Sequence, residues 1–175
     1  MRARLFAHFA HKGQPRKYNL GPYIAHPHAV ANLVRSVPHT PEMIATAWLH
    51  DVVEDCGVTG AMIWNEFGSE VSLMVMQLSD LQDPSAGNRA FRKEQTRIAL
   101  SHAHPNTKTI KLADLIDNTS SIVEHDPKFA RVYLEEKAAL LEVLTEGDAT
   151  LWARAVDTLT AGKNKLESLK GARAL

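Results

Sequence analysis

A chain of 175 residues with 45% hydrophobic and 23% charged residues has room for one well-buried domain and little beyond it. Its formal charge is zero and no aromatic residues interleave with a basic run, which argues against a nucleic-acid binder. One cysteine, Cys56, excludes an internal disulfide and suits a reducing compartment, and the short apolar stretch at the N-terminus, broken by His8 and His11, is wrong for a signal peptide or a membrane span. The expectation is a single cytoplasmic domain over residues 1–175, in contact with neither nucleic acid nor membrane.

Nearly every segment has helical periodicity, and no β-branched run alternates over strand length, so the expected fold is all-α. A first helix is predicted over residues 2–12, followed by the loop GQPRKYNLGPY, where Gly13, Pro15, Gly21 and Pro22 break any helix. That loop carries Arg16 and Lys17 and is free to close over a ligand. From Met1 to Pro41 there are six basic residues and no Asp or Glu, so the rest of the chain carries the balancing negative charge. Such asymmetry points to an anion-receiving end close to an acidic, metal-holding part. His26 opens the next predicted helix, with Pro27 in its first turn, and Thr40-Pro41 makes a cap and first-turn pair for the helix after it.

That helix contains AWLHDVVEDCG and is predicted to run unbroken to Cys56 and Gly57. In it His50, Asp51, Glu54 and Asp55 interrupt an apolar run, and ionised carboxylates in such a setting need a cation or a ligand. Helices around 61–68 and 69–80 follow; Met74 and Met76 read as core filling. LQDPSAGN is a turn-rich connection, and the helix beyond it holds Arg89, Arg92 and Lys93, which either meet phosphates or form a solvated face. His102 and His104 point apart and read as surface residues. In NTKTIKLADLIDNTSSIV, Asp114 is a lone aspartate in an apolar run that wants a cation, and Asn118 one turn on either hydrogen-bonds a sugar or phosphate or caps the helix end. Asp126-Pro127 repeats the cap pair before two long closing helices.

His26, His50, Asp51 and Asp114 thus come from three predicted helices and offer two imidazoles and two carboxylates. The mixture suits one divalent cation of borderline hardness, Mn, Fe or Zn, without choosing among them.

The stretches AHKGQPRKYNLGPYIAHPHAV, AWLHDVVEDCGVT, FGSEV and IKLADLIDN, in this order, resemble the HD superfamily of metal-dependent phosphohydrolases, and in particular the RelA/SpoT-type hydrolase domain and its stand-alone small alarmone hydrolases. The resemblance covers residues 10–140 and implies an HD-type helical bundle with a single Mn2+ site, acting on the 3′-pyrophosphate of hyperphosphorylated purine nucleotides. Carried over by position, it implies metal ligation by His26, His50, Asp51 and Asp114, positioning of the attacking water by Glu54 and Asp55, base stacking by Arg16, and substrate contacts from Lys17, Asn118 and Tyr133. Where family members often carry a Thr-Lys pair after the FGxEV helix, this chain reads LSDLQDPSAGNR, so the base need not be guanine. The rival readings are an HD-type phosphomonoesterase, which would release orthophosphate instead of pyrophosphate, and a non-catalytic nucleotide sensor.

Overall fold

Short polar residues start several of the helices. The Thr40 hydroxyl accepts a hydrogen bond from the Met43 amide, Thr59 from Met62 and Asp126 from Phe129, each taking up an amide that the first helical turn leaves unpaired. Pro41 and Pro127 follow two of these caps at the first helical position, where a missing N–H costs nothing. His104, read as a plain surface residue, caps the longest central helix through Nδ1, which accepts from the Asn106 amide.

A computed structural model describes residues 2–17, 21–80, 85 and 87–171. Among these residues ten helices follow one another: α1 (Arg2–Ala10), α2 (Ala25–Arg35), α3 (Pro41–Leu49), α4 (Val52–Asp55), α5 (Gly60–Phe67), α6 (Ser69–Leu78), α7 (Arg89–Ser101), α8 (Pro105–His125), α9 (Pro127–Leu141) and α10 (Ala149–Gly171). The described residues form no strand, and a single isolated bridge pairs Pro15 with Pro22 at the neck of the Arg16 loop. The expected all-α architecture is therefore what the chain adopts. Most of the LQDPSAGN connection lies outside the described residues.

One sequence expectation needs correction. The helix through AWLHDVVEDCG is not continuous: α3 ends at Leu49, His50 and Asp51 form a turn, and α4 resumes for one turn at Val52. His50 Nδ1–H donates to the Ala47 carbonyl at 2.9 Å, so the imidazole competes for the local backbone near the helix end.

α8 is the element the others pack around, in contact with α2, α3, α6, α9 and α10. Its Ile110, Leu112, Ala113 and Leu115 are fully or almost fully buried, and Asp114 sits among them at 5% exposure. Its N-terminal half passes close to the turn before α10. A Cβ built on Gly147 would stand 2.8 Å from Leu112 Cδ1 and 3.1 Å from the Thr109 amide nitrogen. Leu112 is itself fully buried and has nowhere to move. Gly147→Ala is therefore expected to destabilise the fold by about 1–3 kcal/mol through overpacking; the midpoint of urea unfolding reads this directly, and a midpoint equal to the parent's would refute the close approach.

Candidate active site

Three helical elements deliver the site. α2 contributes His26 from its first turn, the α3–α4 turn contributes His50 and Asp51, and α8 contributes Asp114. Both imidazoles are 2% exposed. His26 Nδ1–H donates to Asp117 Oδ2 at 2.7 Å, as His50 Nδ1–H does to Ala47. With both Nδ1 atoms occupied as donors, each Nε2 presents a lone pair inward, and the two Nε2 atoms stand 3.2 Å apart.

Around that pair the oxygens close in. Asp51 Oδ2 is 3.1 Å from His50 Nε2 and 3.5 Å from His26 Nε2; Asp114 Oδ1 is 3.3 Å and 3.9 Å from His26 and His50 respectively. His26, His50 and Asp51 offer donor atoms that all lie within 4.8 Å of one another. Two lone pairs facing each other among carboxylates repel unless a positive charge lies between them. The spacing also matches the edge of a coordination polyhedron with bonds of about 2.0–2.2 Å, as for a transition-metal ion held by imidazole and carboxylate. The residues fit a divalent cation.

Where no ion shares the charge, the electrostatics make the same point. Burial alone would drive the His26 pKa down, but Asp114, Asp117 and Asp51 hold it up at about 9. His50 is likewise raised against its burial, chiefly by Asp51. Burial opposes ionisation of Asp51 and Asp114, yet the imidazoles, and for Asp114 first of all Lys111, hold both carboxyls below their usual range. Lys111 Nζ lies 2.8 Å from Asp114 Oδ2, and the Tyr23 hydroxyl donates to Asp51 Oδ2 at 2.6 Å. Each carboxylate thus has one oxygen near the imidazoles, and Asp114 has its second oxygen fixed by an ammonium.

Glu54 and Asp55 lie on the exposed rim of the same cleft. Glu54 Oε2 accepts the Asp80 amide at 3.0 Å, and Asp55 receives Gln14 Nε2 at 3.4 Å. Partial desolvation, only in part offset by that amide, raises the Glu54 pKa above the usual carboxylate value. The cleft measures about 490 Å³ and is lined by Asp51, Asp114, Asn118 and Lys111 together with Lys137, Lys93 and Arg97.

The other residues singled out in the sequence take varied positions. Arg16 donates to Asp117 Oδ2 at 2.5 Å. Lys17 lies over the Phe129 ring, 5.6 Å from its centroid. Asn118 donates to Asp114 Oδ1 at 2.6 Å and lines the cleft. The Tyr133 hydroxyl is buried near the Thr119 side chain and makes no hydrogen bond of good geometry among the described residues. Arg89 makes a two-pronged contact with Glu136 at 2.7 and 2.8 Å; Arg92 donates to the Gly87 carbonyl at 2.6 Å; Lys93 pairs with Asp80 at 2.5 Å.

Asp117, Tyr23, Lys111 and Lys137 were not singled out in the sequence. Asp117 carries the most weight, because one oxygen receives both His26 Nδ1–H and the Arg16 guanidinium. It fixes the tautomer that turns Nε2 inward. Asp117→Asn is expected to weaken divalent-cation affinity about 10- to 100-fold, the range found for outer partners of ligating histidines. Calorimetric titration of the variant measures it, and unchanged affinity would remove Asp117 from the site.

A helical domain that gathers two imidazoles and two carboxylates at the head of a polar cleft has the donor set of a divalent-cation centre. Similarity places it further. A match to the HD domain spans residues 3–142, and the chain belongs to that family. It is 34% identical over 133 residues to a Synechocystis protein named probable guanosine-3′,5′-bis(diphosphate) 3′-pyrophosphohydrolase, an alignment covering 74% of this chain and 17% of that one. With the human guanosine-3′,5′-bis(diphosphate) 3′-pyrophosphohydrolase MESH1 it shares 31% identity over 127 residues, covering 70% and 69% of the two chains. The solved structure described as a metazoan ortholog of SpoT that hydrolyzes ppGpp superposes with a TM-score of 0.81 at 24% identity, over 92% of this chain and 93% of that one, which establishes the common fold. The chain spans only 10–17% of the length of the large bacterial relatives it matches. Among the described residues, no helix is long and apolar enough to cross a membrane.

Proposed function

We propose that this chain hydrolyses the 3′-pyrophosphate of hyperphosphorylated purine nucleotides, (p)ppGpp or (p)ppApp, to a 5′-nucleotide and pyrophosphate, with Mn2+ as its cation. The observation that carries the reading is the convergence of two inward-facing Nε2 atoms, Asp51 and Asp114 at the head of a cleft that also holds Glu54, Asp55 and Lys111. The names of the relatives support the substrate class, and the mixed nitrogen and oxygen donor set suits Mn2+.

A divalent cation held by His26, His50, Asp51 and Asp114 would supply Lewis acidity, making a water more acidic and neutralising charge on the phosphoryl oxygens. The remaining chemistry belongs to the chain. Glu54 takes the proton from the attacking water at its carboxylate, which its raised pKa makes a better base, and Asp55 orients that water from the adjacent position. The water oxygen bonds to the phosphorus attached to the 3′-oxygen; the 3′-oxygen–phosphorus bond breaks, and the 3′-oxygen takes up a proton. Lys111 keeps Asp114 ionised and adds positive charge beside the phosphates, and Asn118 is placed to hydrogen-bond the ribose or a phosphate. Arg16 covers the base side, exchanging Asp117 for the base, and Lys17 contacts the ribose and phosphates.

Incubating the protein and Mn2+ with guanosine and adenosine tetraphosphates and separating the products by chromatography tests this. Pyrophosphate plus a 5′-diphosphate nucleoside is expected. Orthophosphate as the first product would replace the reading with a phosphomonoesterase.

A further inference from the structure

The cleft holds cations beyond those at the reaction centre, set among eight acidic residues, and most of them are paired. Four cations line it: Lys93, Arg97, Lys111 and Lys137. Lys93 pairs with Asp80 at 2.5 Å, Arg97 with Glu94 at 2.7 Å and Lys111 with Asp114 at 2.8 Å. The carboxylates nearest Lys137 along α9 are engaged elsewhere, Glu136 by Arg89 and Glu135 by Arg131. Among the described residues, Lys137 is the one cation of the four with no carboxylate within ion-pair distance; its Nζ instead sits 5.1 Å from the centroid of the Tyr133 ring.

An ammonium in that position is half-buried, has lost part of its hydration and lacks a counter-ion. Burial and the neighbouring Lys111 ammonium pull its pKa down to about 8, Asp114 only partly resisting. An anion entering the cleft would relieve both penalties. Its place narrows which anion. Lys137 lines the same cleft as Lys111 and Asp114, and Lys111 touches the Asp114 carboxylate that faces His26, so an anion seated at the imidazole and carboxylate set shares one cavity with Lys137.

Resting on the hydrolase reading above, we infer that Lys137 holds the distal phosphate of the 3′-pyrophosphoryl group, forming with Lys111 a subsite that selects a diphosphate over a monophosphate ester. The phosphate under attack lies against the imidazole and carboxylate set, and the second phosphate of the same group reaches the lysine pair. A 3′-monophosphate has nothing to offer Lys137 and leaves its charge uncompensated. The preference of this chain for pyrophosphoryl substrates is therefore written on α9, outside the four motifs that mark the family.

Inorganic pyrophosphate and orthophosphate are the probes, titrated calorimetrically at a fixed divalent-cation concentration into the parent protein, Lys137→Gln and Lys137→Arg. The parent is expected to bind pyrophosphate the more tightly; Lys137→Gln loses roughly tenfold or more in pyrophosphate affinity, as for one charge-assisted hydrogen bond, and Lys137→Arg recovers most of it. In turnover, Lys137→Gln raises KM for the 3′-diphosphate substrate with kcat little changed, and leaves KM for the 3′-monophosphate analogue where it was. Equal pyrophosphate affinity in the parent and Lys137→Gln overturns the inference even if the parent hydrolyses (p)ppGpp or (p)ppApp. Pyrophosphate binding that depends on Lys137, in a protein that hydrolyses neither nucleotide, sinks the hydrolase reading and leaves the anion subsite standing.

Discussion

Replacing His50 with alanine is expected to abolish stoichiometric binding of a divalent cation and to bring turnover to background. His50 is 2% exposed, and its Nε2 lies 3.1–3.9 Å from one donor atom on each of His26, Asp51 and Asp114, so its removal takes away the ligand common to the whole set. Loss of an outer partner alone costs about 10- to 100-fold in affinity, so loss of a direct ligand sets that range as a floor. The change has a second consequence: Asp51 and Asp114 keep their burial but lose a neighbour that stabilises their charge, which raises the cost of keeping both ionised. Asp51→Asn is the companion. It preserves volume and can still accept from the Tyr23 hydroxyl at the position where Asp51 Oδ2 now does, so it removes charge with little else. Metal content after gel filtration, together with calorimetric titration, reads both variants without reference to activity. A His50→Ala protein that retains one equivalent of tightly bound cation and the parent's turnover would dismiss this site.

What the sequence exposes of this molecule is what local chemistry and the cost of burying charge decide. The caps at Thr40, Thr59 and Asp126 depend on residues three apart, and Thr40-Pro41 and Asp126-Pro127 announce themselves without tertiary information. The histidines and aspartates that meet at the head of the cleft stand out because each interrupts an apolar run. The break at His50 and Asp51 is invisible to periodicity, since the apolar pattern carries on through it while the His50 ring bonds the Ala47 carbonyl and the chain turns. Asp117 fails for a related reason. Placed by helical periodicity relative to Asp114 and Asn118, it falls off their row, and only the packing of α2 against α8 reveals that this off-row position faces His26, 91 residues earlier.

Lys137 shows the opposite difficulty. In FARVYLEEKAALLEVL a lysine beside two glutamates reads as the solvated side of an amphipathic helix; Arg131 can be seen to reach Glu135 one turn along, but nothing local says that Arg89 from α7 takes Glu136. A residue's partners matter more here than its own helix. The same holds for Arg16 and Arg89. Read in sequence they are available cations; in the fold each already holds a carboxylate, Asp117 and Glu136, so either must exchange that partner for a substrate group before it can bind one. Such exchange costs part of the interaction energy gained, which makes an unpaired cation such as Lys137 the more effective anchor.

Glu54→Gln separates cation binding from proton transfer. Glutamine keeps the length and volume of the side chain, and its amide oxygen can accept the Asp80 amide hydrogen bond that Glu54 Oε2 takes at 3.0 Å, so the rim of the cleft should hold its shape. What it loses is a carboxylate whose pKa partial burial raises above the usual value, and with it a group able to accept a proton from water. The variant is expected to bind a divalent cation as the parent does, to keep KM close to the parent's and to lose about 10²–10⁴-fold in kcat, the range for removal of a general base. Asp55→Asn, one residue on and held by Gln14 instead of a backbone amide, should lose less, because a carboxylate that orients the water contributes geometry and not proton affinity. If Asp55→Asn lost the larger factor while Glu54→Gln turned over near the parent rate, the two roles would be exchanged. If both retained parent turnover with cation bound, neither carboxylate would handle the water, and the acidic pair that follows His50 and Asp51 in the sequence would have to be explained by something other than catalysis.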